Sequence, residues 1–296
     1  LPTPSPSTPQ SIPAASPNPY GRAKTATPAP QPEADSSPAQ PSVLDLYQKV
    51  NALFDKAFEA TNQGDFKTAE EYWTQVIEAF PDNAAAWSNR GNVKVSQNKL
   101  QTAIVDYEKA IELAPDAPDP YLNRGIALEG LGQYQKAIDS YNQALKIDPK
   151  DPLAFNNRGN AKAGMGQWEA ALTDYKQAVD LTRDYGFARA NYALALYQTG
   201  KIDEAIRSMR NLVRKYPKFA DMRAALTAAL WTQGSRGEAE SQWVSVVGLD
   251  SRYQDLSWLK TVRRWPPTMV TAMEKFLTLK SGQAKPDQAK PDQLNS

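Results

Sequence analysis

The chain has 296 residues, 41% of them hydrophobic and 23% charged, which is enough apolar material for a sizeable core in one or two domains. Lys plus Arg (34) nearly cancels Asp plus Glu (33), so a formal charge of +1 exerts no global pull toward nucleic acid or an anionic membrane. Cysteine and histidine are absent, which excludes disulfides, zinc sites built on those residues, thiol nucleophiles and imidazole acid–base chemistry.

Residues 1–42 hold twelve of the 23 prolines, mixed with Ser, Thr, Ala and Gln. Proline lacks an amide donor and fixes φ, so neither helix nor sheet is expected to run through this stretch. It reads as a disordered, proline-rich linker. The sequence opens on Leu1 rather than methionine, which fits removal of a targeting peptide or trimming of a longer chain. No apolar run approaches the roughly 18–20 residues of a membrane helix, so no transmembrane segment is expected.

Over residues 43–253 the chain repeats every 34 residues, with units beginning at 50, 84, 118, 152, 186 and 220. The twentieth position of each unit is alanine: Ala69, Ala103, Ala137, Ala171, Ala205 and Ala239. The twenty-fourth is large (Trp73, Tyr107, Tyr141, Tyr175, Met209, Trp243), and the eighth is Gly91, Gly125 and Gly159 in the middle units. Small residues at the eighth and twentieth positions let two helices approach closely, and the large one fills the space between units. Pro81, Pro115, Pro149 and Pro217 stop a second helix before the next unit. The fifteenth position is Gly64, Asn98, Gly132, Gly166, Gly200 and Gly234. A helix C-terminus favours a left-handed residue there, glycine first and asparagine as substitute. The fold predicted is all-α, a solenoid of six helix–turn–helix units.

Beyond Tyr253, Val270, Met273, Phe276 and Leu277 recur at helical spacing after Trp265-Pro266-Pro267. Residues 254–281 are therefore expected to form capping helices over the last exposed apolar face, with Trp258 and Trp265 packing in the cap. The remaining 282–296, with its doubled Gln-Ala-Lys-Pro-Asp, reads as a disordered tail.

These columns resemble the tetratricopeptide-repeat family. The resemblance implies a right-handed superhelix whose first helices line a concave groove and whose second helices form the convex back. It also implies a scaffold that holds peptides or protein segments. The chain departs from the family pattern at the seventh position (Arg90, Arg124, Arg158) and at Lys94 and Lys162 of the eleventh. Such side chains are expected to pack their stems and place their charge in water. Unit sequences such as Ala154-Phe-Asn-Asn-Arg-Gly-Asn-Ala161 and the tryptophan–proline cap also resemble repeat proteins of cyanobacteria and plastids. That likeness suggests an assembly factor for a photosynthetic membrane complex, thylakoid-associated in a chloroplast or cyanobacterium and peripheral to the membrane complex it serves.

Phosphate loops, His-Glu-x-x-His and Gly-x-Ser-x-Gly motifs are all missing, so no enzyme activity and no cofactor or metal are expected. A basic patch is formed by Arg207, Arg210, Arg214 and Lys218 on the back of the fifth unit, a docking surface for an acidic protein or membrane surface in the alternative reading. Without interleaved aromatic residues it does not suggest nucleic acid. The main reading is peptide capture in the groove. The sixth position is Asn89, Asn123, Asn157 and Asn191, and the ninth adds Asn92 and Asn160. Asparagine is a poor helix former, and its amide can both donate to and accept from a peptide backbone. Leu122, Ile126, Asp119 and Glu129 are the neighbours expected to give selectivity. Ala85, Asp119, Leu153 and Phe187 occupy the second position, where carboxylate-clamping members of the family need a base, so that clamp is not expected. The asparagine column more closely resembles the ladder in the repeat region of protein O-GlcNAc transferases.

Overall fold

A computed structural model describes residues 43–182 and 184–283; the expected linker (1–42) and residues 284–296 of the expected tail lie outside them. The chain divides into two compact units, the first ending at Ile147 and the second beginning at Asp148. In the first unit, α1 (Val43–Gln63) pairs with α2 (Phe66–Ala79), α3 (Ala84–Ser96) with α4 (Leu100–Leu113), and α5 (Pro118–Gly130) with α6 (Tyr134–Ile147). The second holds α7 (Pro152–Gly164) with α8 (Trp168–Leu181), α9 (Gly186–Gln198) with α10 (Ile202–Lys215), and α11 (Ala220–Thr232) with α12 (Arg236–Leu249). A short 3-10 turn (Ser251–Gln254), α13 (Leu256–Thr261) and α14 (Pro267–Gln283) follow. No strand occurs among the described residues.

The 34-residue frame maps onto these hairpins. Helix α1 alone is longer than its repeat allows, beginning at Val43 rather than at 50. The six turns share one geometry. Gly64, Gly132, Gly166, Gly200 and Gly234 have φ between +71° and +80°, and Asn98 has φ +58°. The residue after each sends its amide back five residues to the preceding helix, as in Lys99 N–H to Lys94 O at 2.8 Å and Gln167 N–H to Lys162 O at 2.9 Å. This is the Schellman closure that a left-handed residue permits. Helix starts are fixed locally as well: Asp65 accepts from the Thr68 amide at 3.2 Å, Asn83 from the Ala86 amide at 2.9 Å, and Pro118 and Pro152 open α5 and α7.

The core of each hairpin is a contact between helices. All six alanines of the twentieth position are fully buried. The glycines of the eighth position answer to the ring opposite. A Cβ on Gly91, Gly125 or Gly159 would lie 2.6, 2.4 or 2.7 Å from the ring of Tyr107, Tyr141 or Tyr175. Where the opposing residue is Trp73 or Met209, the eighth position is Ala57 or Ala193.

The cap is anchored on one carboxylate. Asp221, in the first turn of α11, is buried and accepts from the Tyr253 hydroxyl (3.0 Å), the Arg263 Nε (3.0 Å) and the Trp265 indole (2.9 Å). Burial raises the Tyr253 hydroxyl well above its usual range, and the Asp221 charge adds to it. Helix α14 packs on α11 and reaches α9. Its buried residues are Met269, Val270, Ala272, Met273 and Phe276, the last edge-on to Trp231 and Trp243 at 5.1 and 5.0 Å. Trp265 is buried in this cap and Trp258 is half-buried against Tyr253.

Replacing Gly125 by alanine should therefore destabilise the fold by about 1–3 kcal/mol through overpacking. The double variant Gly125→Ala/Tyr141→Met, which copies the Ala193–Met209 pair, should recover part of that loss. Denaturant melts of wild type and both variants check this.

Candidate functional site

The first helices carry the asparagines, but the two units use them differently. In the first unit Asn89 of α3 and Asn123 of α5 are half-buried and make no side-chain hydrogen bond among the described residues. Adjacent first helices α3 and α5 place these two amides 34 residues apart on one repeat position. Asn92 is half-buried, and its carbonyl accepts from the Tyr107 hydroxyl at 2.8 Å. Glu129 accepts from the Tyr141 hydroxyl at 3.2 Å. Burial holds both phenols protonated: Tyr107 is raised by burial and then by the Asp106 charge, Tyr141 by burial and then by Glu129. Asp119 is exposed in the first turn of α5, and Ile126 is half-buried.

In the second unit the amides bind one another. The Asn191 amide donates to Asn156 Oδ1 at 3.0 Å and to Asn160 Oδ1 at 3.1 Å. Asn156 donates to Asn157 Oδ1 at 3.1 Å, and Asn160 also accepts from the Tyr175 hydroxyl at 2.9 Å. One expectation is corrected here and another is narrowed. Asn157 is mostly buried, at 9% exposure, and its Oδ1 is taken by Asn156, which leaves its Nδ2 as the part of the amide open to an incoming chain. Leu122, expected to read a partner's side chain, is core at 8% exposure.

The basic residues of the first helices are corrected too. Arg90 grips Asp106 with Nε at 2.9 Å and Nη2 at 2.8 Å, and Lys94 adds Nζ at 2.7 Å. Arg158 and Lys162 hold Asp174 in the same way, at 2.9, 2.7 and 2.7 Å. The aspartate side chains are only 2–3% exposed. A buried carboxylate costs several kcal/mol of desolvation unless paired, so these charges sit against aspartate and not in water. The sequence carried this signal: aspartate at the twenty-third position occurs in the units with Arg at the seventh and Lys at the eleventh.

On α10, Arg207, Arg210, Arg214 and Asn211 line a shallow depression of about 300 Å³. Arg210 is clamped by Glu238 through Nε at 2.9 Å and Nη2 at 2.6 Å. Arg214 donates to Asn211 at 3.0 Å, and Arg207 and Lys218 are exposed. No helix among the described residues is long and apolar enough to cross a membrane.

Removing the buried carboxylate with Asp106→Ala leaves two uncompensated cations and should cost about 3–5 kcal/mol. Removing Glu112, whose ion pair with Lys109 is exposed, should change stability by about 0.5 kcal/mol or less. Unfolding midpoints of the two variants separate these effects.

A family model described as "TPR repeat" matches twice, at residues 91–132 and 130–166, and one described as "Tetratricopeptide repeat" matches 162–240. Comparison with curated protein sequences gives no match. Among solved structures, the chain is similar to YrrB, a TPR protein with an unusual peptide-binding site. That match has 23% identity and a TM-score of 0.54, covering 70% of this chain and all of YrrB. A tetratricopeptide repeat protein from Parabacteroides merdae has 20% identity and a TM-score of 0.61, covering 78% and 93% of the two chains. PilF of Pseudomonas aeruginosa has 17% identity and a TM-score of 0.62, covering 72% and 98%. These likenesses show a shared fold. With the repeat columns, the six hairpins and the matched family models in agreement, the chain belongs to the tetratricopeptide-repeat family.

Proposed function

We propose that the chain is a non-enzymatic scaffold that holds an extended polypeptide segment on the first-helix face of its hairpins. The observation that carries this reading is the pair Asn89 and Asn123. Their amides occur once per successive first helix, are half-buried, and have no partner among the described residues. Each can donate to and accept from the backbone of a chain laid across α3 and α5. Asp119 and Ile126 of α5 stand beside Asn123 and supply charge and apolar surface for side-chain preference. In the second unit the carbonyl of Asn191 is left to accept, since both of its amide protons are directed to Asn156 and Asn160.

A second reading rests on α10. Arg207 and Lys218 are exposed and Arg214 bonds only a neutral asparagine, which suits an acidic protein surface. Arg210 contributes little to it while Glu238 holds its guanidinium. The finer setting, an assembly factor at a photosynthetic membrane, is supported by the resemblance of the unit sequences alone.

Peptides selected from an unstructured display library against the full chain provide the ligand for a test. Each net hydrogen bond contributes about 0.5–1.5 kcal/mol, so Asn89→Ala/Asn123→Ala should weaken such peptides about tenfold or more at unchanged helicity. Fluorescence anisotropy measures the affinity, and circular dichroism checks the fold. Undiminished binding that is lost on Arg207→Glu/Arg214→Glu would move the working face to α10.

A further inference from the structure

The third hairpin breaks the charge pattern of its neighbours in the repeat. Arg90 and Arg158 each have an aspartate opposite and a lysine one turn on. Arg124, at the same position, has Ser140 where the others have Asp106 and Asp174, and Leu128 where they have Lys94 and Lys162. Its Nε donates to Ser140 Oγ at 3.1 Å, and its guanidinium lies 5.7 Å from the Tyr121 ring centre. No carboxylate pairs with it among the described residues. A cleft of about 330 Å³ lies here, lined by Gln101, Ile104 and Glu108 of α4, Arg124 and Leu128 of α5, and Lys136, Asp139 and Ser140 of α6.

We propose that this cleft is a carboxylate-binding site, with Arg124 taking from outside the chain the anion that Asp106 and Asp174 supply to its counterparts. A guanidinium presents parallel N–H donors that fit a carboxylate bidentately, the geometry Arg90 and Arg158 already show. The Ser140 hydroxyl donates to the Lys136 backbone carbonyl at 3.1 Å, so the guanidinium supplies the hydrogen bonds to an anion, and the Lys136 ammonium on the rim adds positive charge. Glu108 and Asp139 also line the cleft, and Asp139 accepts from Gln135 at 3.1 Å. Neither pairs with Arg124 in this structure. These two carboxylates favour a singly charged ligand over a phosphate. Ile104 and Leu128 offer apolar contact to a short aliphatic stem, so the ligand class is an alkyl carboxylate. An acidic side chain, a free chain terminus and a small organic acid share that chemistry. The site is lined by α4, α5 and α6, and Asn89, Asn92 and Asn123 are not among its lining residues.

The test uses the full chain labelled with 15N-arginine, with the Arg124 Nε–H signal assigned by its loss in Arg124→Lys. Sodium acetate is titrated against sodium chloride at matched ionic strength. The Arg124 signal should move saturably, while those of Arg90 and Arg158, already held by aspartate, stay in place. Ser140→Asp restores an internal carboxylate and should weaken acetate by about tenfold or more, since the guanidinium is then occupied. Because a new buried carboxylate could impair folding, Glu108→Gln is the second variant, and it should tighten acetate several-fold. Two peptides separate the sources: one carries an internal aspartate and an amidated end, the other is neutral with a free terminus. The one that moves Arg124 at lower concentration than acetate identifies the natural donor, and acetate alone moving it identifies a small acid. A signal that follows ionic strength only, or responds equally to acetate with Ser140→Asp folded, overturns the proposal.

Discussion

The distance between the two helices of a hairpin governs everything else in this chain. Six fully buried alanines set it, and in three hairpins a tyrosine ring lies so close to a glycine that no Cβ could stand between them. That close approach has a polar consequence. The ring that packs on the glycine also carries a hydroxyl, and in hairpins two, three and four the hydroxyl reaches Asn92, Glu129 and Asn160 on the facing first helix. Packing on the second helix thus orients polar groups on the first. Burial keeps Tyr107 and Tyr141 protonated, so each remains a donor and never repels the group it holds.

Most of the fold was legible in the sequence because its determinants are local and recur at one period. A left-handed turn demands glycine or asparagine, and Asn98 satisfied the rule as well as the five glycines did. The partners of the polar side chains were far less legible. Asn123 and Asn157 share a column, yet Asn123 has no side-chain hydrogen bond among the described residues while Asn157 accepts from Asn156 and is mostly buried. The difference lies one residue earlier. The fifth position holds Leu122 in the third hairpin and Asn156 in the fourth, and both are buried. Asn156 brings an amide into that interior, donates to Asn157 and accepts from Asn191, so a column of apparent rungs becomes an internal network. Periodicity identifies a face, while the neighbour decides whether the side chain on it is already satisfied.

The arginines follow the same logic. A long cation on a first helix can be read as a solvated group or as a partner contact, and the column alone does not separate the two. The aspartate sixteen residues later does, because a carboxylate fixed in the interior is tolerated only when cations reach it. Arg90 with Lys94, and Arg158 with Lys162, therefore tie each first helix to its own second helix. These pairs are better understood as setting the register of the hairpin than as adding net stability, since desolvation offsets much of the attraction. They also withdraw four cations from any role in recognition.

The last repeat shows how the chain itself uses the first-helix face. Asp221 stands at the second position, the column that also contains Ala85, Asp119, Leu153 and Phe187. It is buried there because the chain beyond α12 returns over α11 and brings Tyr253, Arg263 and Trp265 to its carboxylate. Helix α14 then lies on α11, and the side-chain Oε1 of Gln198, at the end of α9, accepts from the Thr268 amide (3.0 Å) and hydroxyl (2.7 Å) in the first turn of α14. The first-helix surface of α11 is consequently taken by the chain's own cap. What stays open in the second unit is the start of α7 and α9, where Leu153 is 37% and Phe187 is 64% exposed. A polypeptide lying on that unit would meet apolar anchors there, next to amides that are largely bonded to one another. On the first unit it would meet the unpaired amides of Asn89 and Asn123.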